Sequence, residues 1–160
     1  MILYHGSTVI VDKPRIIRSH RALDFGAGFY TTESQEQSER WAKNKMRREQ
    51  SSNAIVSIYE FDLESAKKEL IIRTFEYADA QWLDFVMKNR AGEKIDNAAA
   101  LCIGPVADDN VYATIRLFET GILDAEETVK RLKTEVLNNQ VTFHTNAALH
   151  YCHYLKSYEL

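Results

Sequence analysis

Apolar residues fall into two kinds of run along this chain. Between Ala54 and Leu63 nearly every position that matters is apolar (Ile55, Val56, Ile58, Tyr59, Phe61), the pattern of an interior strand buried on both faces. Met1–His5, Gly28–Thr32, Glu69–Thr74 with its Ile-Ile pair, Ala99–Ile103 ending at Gly104-Pro105, and Gln140–His144 predict further strands. Elsewhere the apolar positions recur at helical spacing. Trp82, Phe85 and Val86 mark one helix, and Val111, Ile115 and Phe118 mark another that stops at Gly121. Asp124 with Glu127 starts a third, whose stripe is Val129, Leu132 and Val136, and Asn146–Leu155 is expected to close the chain as a helix. Ser34 starts a helix as N-cap, with Gln37 in capping-box position, and this helix carries Trp41. Strands and helices do not alternate strictly, which predicts a mixed α+β domain and argues against a doubly wound nucleotide fold.

Composition narrows this picture. A chain of 160 residues, 45% of them hydrophobic, can bury one sizeable core and is too short for two ordinary domains, so residues 1–160 are read as one domain. Six Gly and two Pro, spread over the whole length, leave no linker-like stretch. A formal charge of -3 gives no general attraction for nucleic-acid phosphate or an anionic membrane, so such a partner would need a local patch. The one basic cluster is Lys43, Lys45, Arg47 and Arg48. Cys102 and Cys152 have neither disulfide-framework nor zinc-site spacing, and the amino terminus has no basic region followed by an apolar stretch. A soluble, unexported, cytoplasmic protein with no membrane partner is expected.

Chemistry concentrates near the amino terminus. His5-Gly6-Ser7 puts an imidazole, a backbone position without a side chain and a hydroxyl at the end of a strand. A glycine there lets backbone N–H and C=O approach a planar amide. Gly26 and Gly28, around Ala27, form a turn that delivers Tyr30 to the next strand, and Trp41 follows eleven residues later on the helix. A flat heteroaromatic ring held between two aromatic side chains gains about 0.5–1.5 kcal/mol per contact beyond its area burial. Specificity would come from the Gly6 backbone and the Ser7 or Ser38 hydroxyl on a carboxamide, and from His5 on a ribose hydroxyl. Taken singly, each residue has a plainer role. His5 can cap a strand, Tyr30 and Trp41 can be core, Gln140 can be a strand-edge polar residue, Asp108-Asp109 can be a helix N-cap, and Lys43–Arg48 can be a solvated face. His150 and His153 share a face of the predicted last helix, but no third ligand accompanies them and no metal is predicted.

The order and spacing carry more than any single residue. LYHGS at residues 3–7, DFGAGFYTT at 24–32, Ser38 and Trp41 at eight and eleven residues past Tyr30, and Gln140 in NNQVTFHT resemble the ADP-ribosyltransferases. The resemblance is to the clade of poly(ADP-ribose) polymerases and diphtheria-like toxins, which carry a His-Tyr-Glu triad. With GPVADD, it covers nearly the whole chain and is closest to a small bacterial domain-of-unknown-function family within that superfamily. It implies an α+β fold with a split β-sheet core and peripheral helices. It also implies NAD as substrate without a metal, His5, Tyr30 and Gln140 in the catalytic positions, and Gly6, Ser7, Gly28, Ser38 and Trp41 around the dinucleotide. The implied activity is mono-ADP-ribosyl transfer to a protein or nucleic-acid acceptor, as a toxin or defence effector that a neutralising antitoxin would control. Gln140 departs from the commonest triad, because a neutral amide can neither act as a base nor supply a counter-charge. Slow transfer, an acceptor already nucleophilic, or a carboxylate recruited from Asp108 or Asp109 remain open, as does a pseudoenzyme or interaction module on the same fold. A phosphate-transferring relative would need inward arginines, for which Arg15, Arg18 and Arg21 are the candidates.

Overall fold

Among the described residues seven strands form one sheet in the order β4-β5-β6-β2-β1-β3-β7. They are β1 (Ile2–Ser7), β2 (Phe29–Thr32), β3 (Ile55–Phe61), β4 (Ile72–Thr74), β5 (Leu101–Pro105), β6 (Asn139–Phe143) and β7 (Cys152–Glu159). The computed structural model describes residues 1–17, 23–93, 98–106, 109–133 and 137–160, without the side chains of Asp109 and Asn110. Only β4 and β5 run parallel; the other neighbours are antiparallel. Six helices accompany them among the described residues: α1 (Gln35–Glu49), α2 (Leu63–Glu69), α3 (Ala80–Arg90), α4 (Asp109–Glu119), α5 (Ala125–Leu132) and α6 (Asn146–Leu149).

Alternation along the strands sorts the side chains into two layers. Leu3, Phe29, Tyr59, Phe61, Leu101, Ile103, Val141 and Phe143 point to one face and pack with Ala66 of α2 and Ala148 of α6. On the other face α1 lies over β1 and β3 through Ala42, Val56 and Ile58, while Phe25, Cys102 and Trp82, Leu83, Phe85 and Val86 of α3 form a second cluster with α4 and α5. Side-chain caps set the helix starts: Ser34, Asp79 and Asp124 accept from the backbone N–H three residues on. Gly121, at φ 73°, follows α4 where the sequence predicts its stop.

The chain end differs from the expected helix over Asn146–Leu155. α6 is a single turn, and Cys152–Glu159 is an edge strand paired with β3. His150 caps α6 and His153 lies in β7, so the two imidazoles do not share a helical face. Two further boundaries move: the strand from Ala54 ends at Phe61, with Asp62 capping α2, and that helix occupies Glu69, so β4 begins only at Ile72. Val136, expected in the stripe of the fifth helix, lies outside the described residues, as do Asp108, Arg18 and Arg21. No helix among the described residues is long and apolar enough to cross a membrane.

Candidate functional site at the β1–β2 seam

β1 is paired with β3 along its whole length, from Ile2↔Glu60 to Ser7↔Ile55, and β2 with β6 along its whole length, from Phe29↔Phe143 to Thr32↔Gln140. Between β1 and β2 the ladder is the single pair Tyr4↔Thr32. Two well-paired halves therefore meet at a thin seam. The Met1 amino group donates to Phe61 O at 2.7 Å, and Phe61 N–H donates to Met1 O at 2.8 Å. This parity turns the odd-numbered residues of β1 towards β3, so the N–H and C=O of Gly6 point towards β2, past the last paired residue.

His5 bridges the seam. Its Nδ1 lies 2.7 Å from Tyr30 O, and because a carbonyl only accepts, Nδ1 carries the proton and Nε2 is left as an acceptor. The ring packs on Phe29, with centroids 4.7 Å apart. Burial pushes the His5 pKa down to about 4; the bond to Tyr30 opposes this, and the charge of Lys45 adds to it. The imidazole is therefore neutral near pH 7. Its folded pKa lies below the ordinary 6.5, so the unfolded chain takes up this proton first, and stability is expected to fall as pH drops from about 6.5 towards 4. His144, also lowered by burial, adds in the same direction. Urea midpoints measured across this window test the assignment: His5→Gln should flatten the slope, and an unchanged slope would show that His5 is not the group responsible.

The other expected site residues surround this bridge with differing degrees of freedom. Gly6 is buried directly beneath α1, where a Cβ would lie 2.1 Å from Ser38 O and 2.7 Å from Ala42 N. Its missing side chain serves helix packing, and only its in-plane edge faces the seam. Ser38 is fully buried, and its hydroxyl donates to Gln35 O at 2.7 Å within the helix, so it does not point to a ligand here. Ser7, 1% exposed, accepts from Lys45 Nζ at 3.2 Å. Trp41 is half-buried on the same flank of α1 as Ser38 and Lys45. Tyr30 ties down the preceding loop: its hydroxyl donates to Gly26 O at 2.6 Å and accepts from Phe25 N at 3.1 Å, and burial raises its pKa. Gly26 has φ 78° and needs glycine; Gly28 needs it for space, since a Cβ would meet Phe143 O at 2.6 Å.

Gln140 is 2% exposed on β6 opposite Thr32, and its Nε2 has no hydrogen-bond partner. His144 Nε2, four residues on, is likewise buried and unpartnered, and Thr142 between them sets its hydroxyl beside that of Tyr30, so one side of β6 carries a row of buried polar groups. His144 donates from Nδ1 to Ala27 O at 2.7 Å and lines a groove of about 610 Å³ with Arg15, Ile16, Thr145 and Asn146. Gln37, read from the sequence as the capping-box residue, is 2% exposed and its Oε1 accepts from the Thr32 hydroxyl at 2.6 Å, tying α1 to β2; the pair of Asp24 with Arg90 has no short-range signal and was missed. Of the basic cluster, Lys43, Arg47 and Arg48 are exposed, with Arg47 and Arg48 in the last turn of α1, where they complement the helix dipole. Among the described residues no group of three or more His, Cys, Asp or Glu is placed to hold a metal ion.

Residues 1–154 match the profile of a family described as "Protein of unknown function (DUF3990)". The chain belongs to this family. No curated protein and no solved structure matches the chain. Membership spans every element from β1 to the first residues of β7, so the seam, the loop before Tyr30 and the polar side of β6 all lie within the family's domain.

Proposed function

We propose that this domain binds NAD at the β1–β2 seam, cleaves its nicotinamide–ribose bond and transfers ADP-ribose to a macromolecular acceptor. The observation that carries this reading is the His5 bridge. At the point where the ladder stops, it leaves an imidazole acceptor and the polar edge of Gly6 side by side, with Trp41 on the adjoining flank of α1. The nicotinamide ring would lie against Tyr30 and Trp41, its carboxamide on the Gly6 edge, and His5 Nε2 would accept from a ribose hydroxyl. In the reaction the ribose C1′–N bond breaks, nicotinamide leaves neutral with the electron pair, and positive charge develops on the sugar. The acceptor closes a new bond to C1′ and gives up its proton where it carries one.

Gln140 supports a second reading, in which the domain binds NAD or ADP-ribose without cleaving it, because its buried amide supplies no negative charge to the developing cation. Release of nicotinamide from NAD, measured with and without cell lysate as acceptor source, separates the two. Wild type is expected to release it, and His5→Ala and Trp41→Ala to lose about tenfold or more. Trp41→Ala is a better probe than a change at Tyr30, whose hydroxyl also holds the Phe25–Gly26 backbone. Binding of NAD without release establishes the second reading, and absence of NAD binding removes both.

A further inference from the structure

We infer that Lys45 is the anion contact of this site, its ammonium holding the diphosphate of the dinucleotide and so distinguishing NAD from its uncharged-tail fragments; the inference rests on the NAD reading above. Ser38, Trp41 and Lys45 follow one another at helical spacing on one flank of α1. From Trp41 to Lys45 the helix rises about 6 Å, one turn, and both residues are half-buried beside the seam. A nicotinamide stacked on Trp41 would thus carry its first phosphate, one ribose further on, to the level of Lys45.

The environment of Lys45 is that of a cation kept for a ligand. Its ammonium has three protons to give, and one goes to the Ser7 hydroxyl at the end of β1. No carboxylate among the described residues forms an ion pair with it, although it is not a fully exposed side chain. Its charge reaches His5, the group assigned to the ribose, and disfavours a second cation there. Lys43, Arg47 and Arg48 differ in being exposed to solvent. A half-buried cation with no counter-ion favours any anion that enters, and a diphosphate brings charge-assisted hydrogen bonds that the riboside, which has no phosphate and is itself a pyridinium cation, cannot form.

Calorimetric titration of the full chain with NAD, ADP-ribose and nicotinamide riboside tests the assignment. Lys45→Met keeps the aliphatic stem and good helix propensity. It should weaken NAD and ADP-ribose at least about tenfold without weakening the cationic riboside, while Lys45→Arg should restore most of the loss. Added salt should weaken NAD binding more steeply in wild type than in Lys45→Met. Equal NAD affinity in wild type and Lys45→Met overturns the assignment and leaves the NAD reading standing, and so does a matching loss for the riboside, which marks a disturbed pocket. Failure of wild type to bind NAD overturns both.

Discussion

Arg90→Ala is expected to cost about 3–5 kcal/mol of folding stability, the usual consequence of leaving one member of a buried ion pair without its partner. The Arg90 side chain is 7% exposed; its Nε donates to Asp24 Oδ1 at 2.8 Å, its Nη1 lies 3.7 Å from Glu119 Oε1, and its guanidinium sits 4.2 Å from the centre of the Tyr112 ring. Asp24, 15% exposed, opens the loop that ends at Tyr30, and the next two residues are the ones bonded by the Tyr30 hydroxyl. Truncation would strand a carboxylate at the base of that loop. A loss of this size is a third or more of the stability of many domains, so urea unfolding should show a lower midpoint at unchanged slope. Asp24→Asn combined with Arg90→Met should recover much of the loss, because the pair matters more for the penalty of breaking it than for its net worth. A cost below about 1 kcal/mol for Arg90→Ala would mean that Asp24 relaxes into solvent and the loop is held by other contacts.

This ion pair shows what a sequence hides. Asp24 and Arg90 stand 66 residues apart, and nothing local marks them as partners; the same holds for Ser7 with Lys45, 38 apart. Elements whose signal is local were legible. β3 and β5 are buried on both faces and read as apolar runs, β6 shows its apolar Val141 and Phe143 in alternation, and Ser34 announces α1 with its own side chain. The expected helix over Asn146–Leu155 failed because β7 is an irregular edge strand. Its pairing jumps from Tyr59↔Tyr154 to Ile58↔Lys156, so Leu155 is an extra residue, and Leu155 and Lys156 are both exposed in succession. That bulge breaks the two-residue period on which recognition of a half-buried strand depends. Site positions fared similarly. The order of His5, Tyr30, Trp41 and Gln140 was readable, but the work done by each side chain was not, since Ser38 turns its hydroxyl into its own helix and Gly6 is needed by α1.

Gln140→Glu is expected to raise the rate of nicotinamide release by about 10²–10³, the range that one preorganised electrostatic partner typically supplies. The position is favourable for this: residue 140 begins the polar side of β6, 2% exposed, with its Nε2 unmatched, so a carboxylate there would be poorly screened by water and close to charge developing at the seam. The same burial works against the variant when no ligand is bound. An unpaired buried carboxylate resists ionisation, which pushes its pKa up and lowers stability above that pKa. The gain should therefore appear as a new acid limb in the rate profile, absent in wild type, together with a lower unfolding midpoint that NAD partly restores. A folded Gln140→Glu protein that releases nicotinamide no faster than wild type anywhere between about pH 6 and 9 would place residue 140 away from the reacting bond. Faster release accompanied by hydrolysis in place of transfer would instead show that the native amide restrains water and leaves attack to an acceptor that is already a good nucleophile.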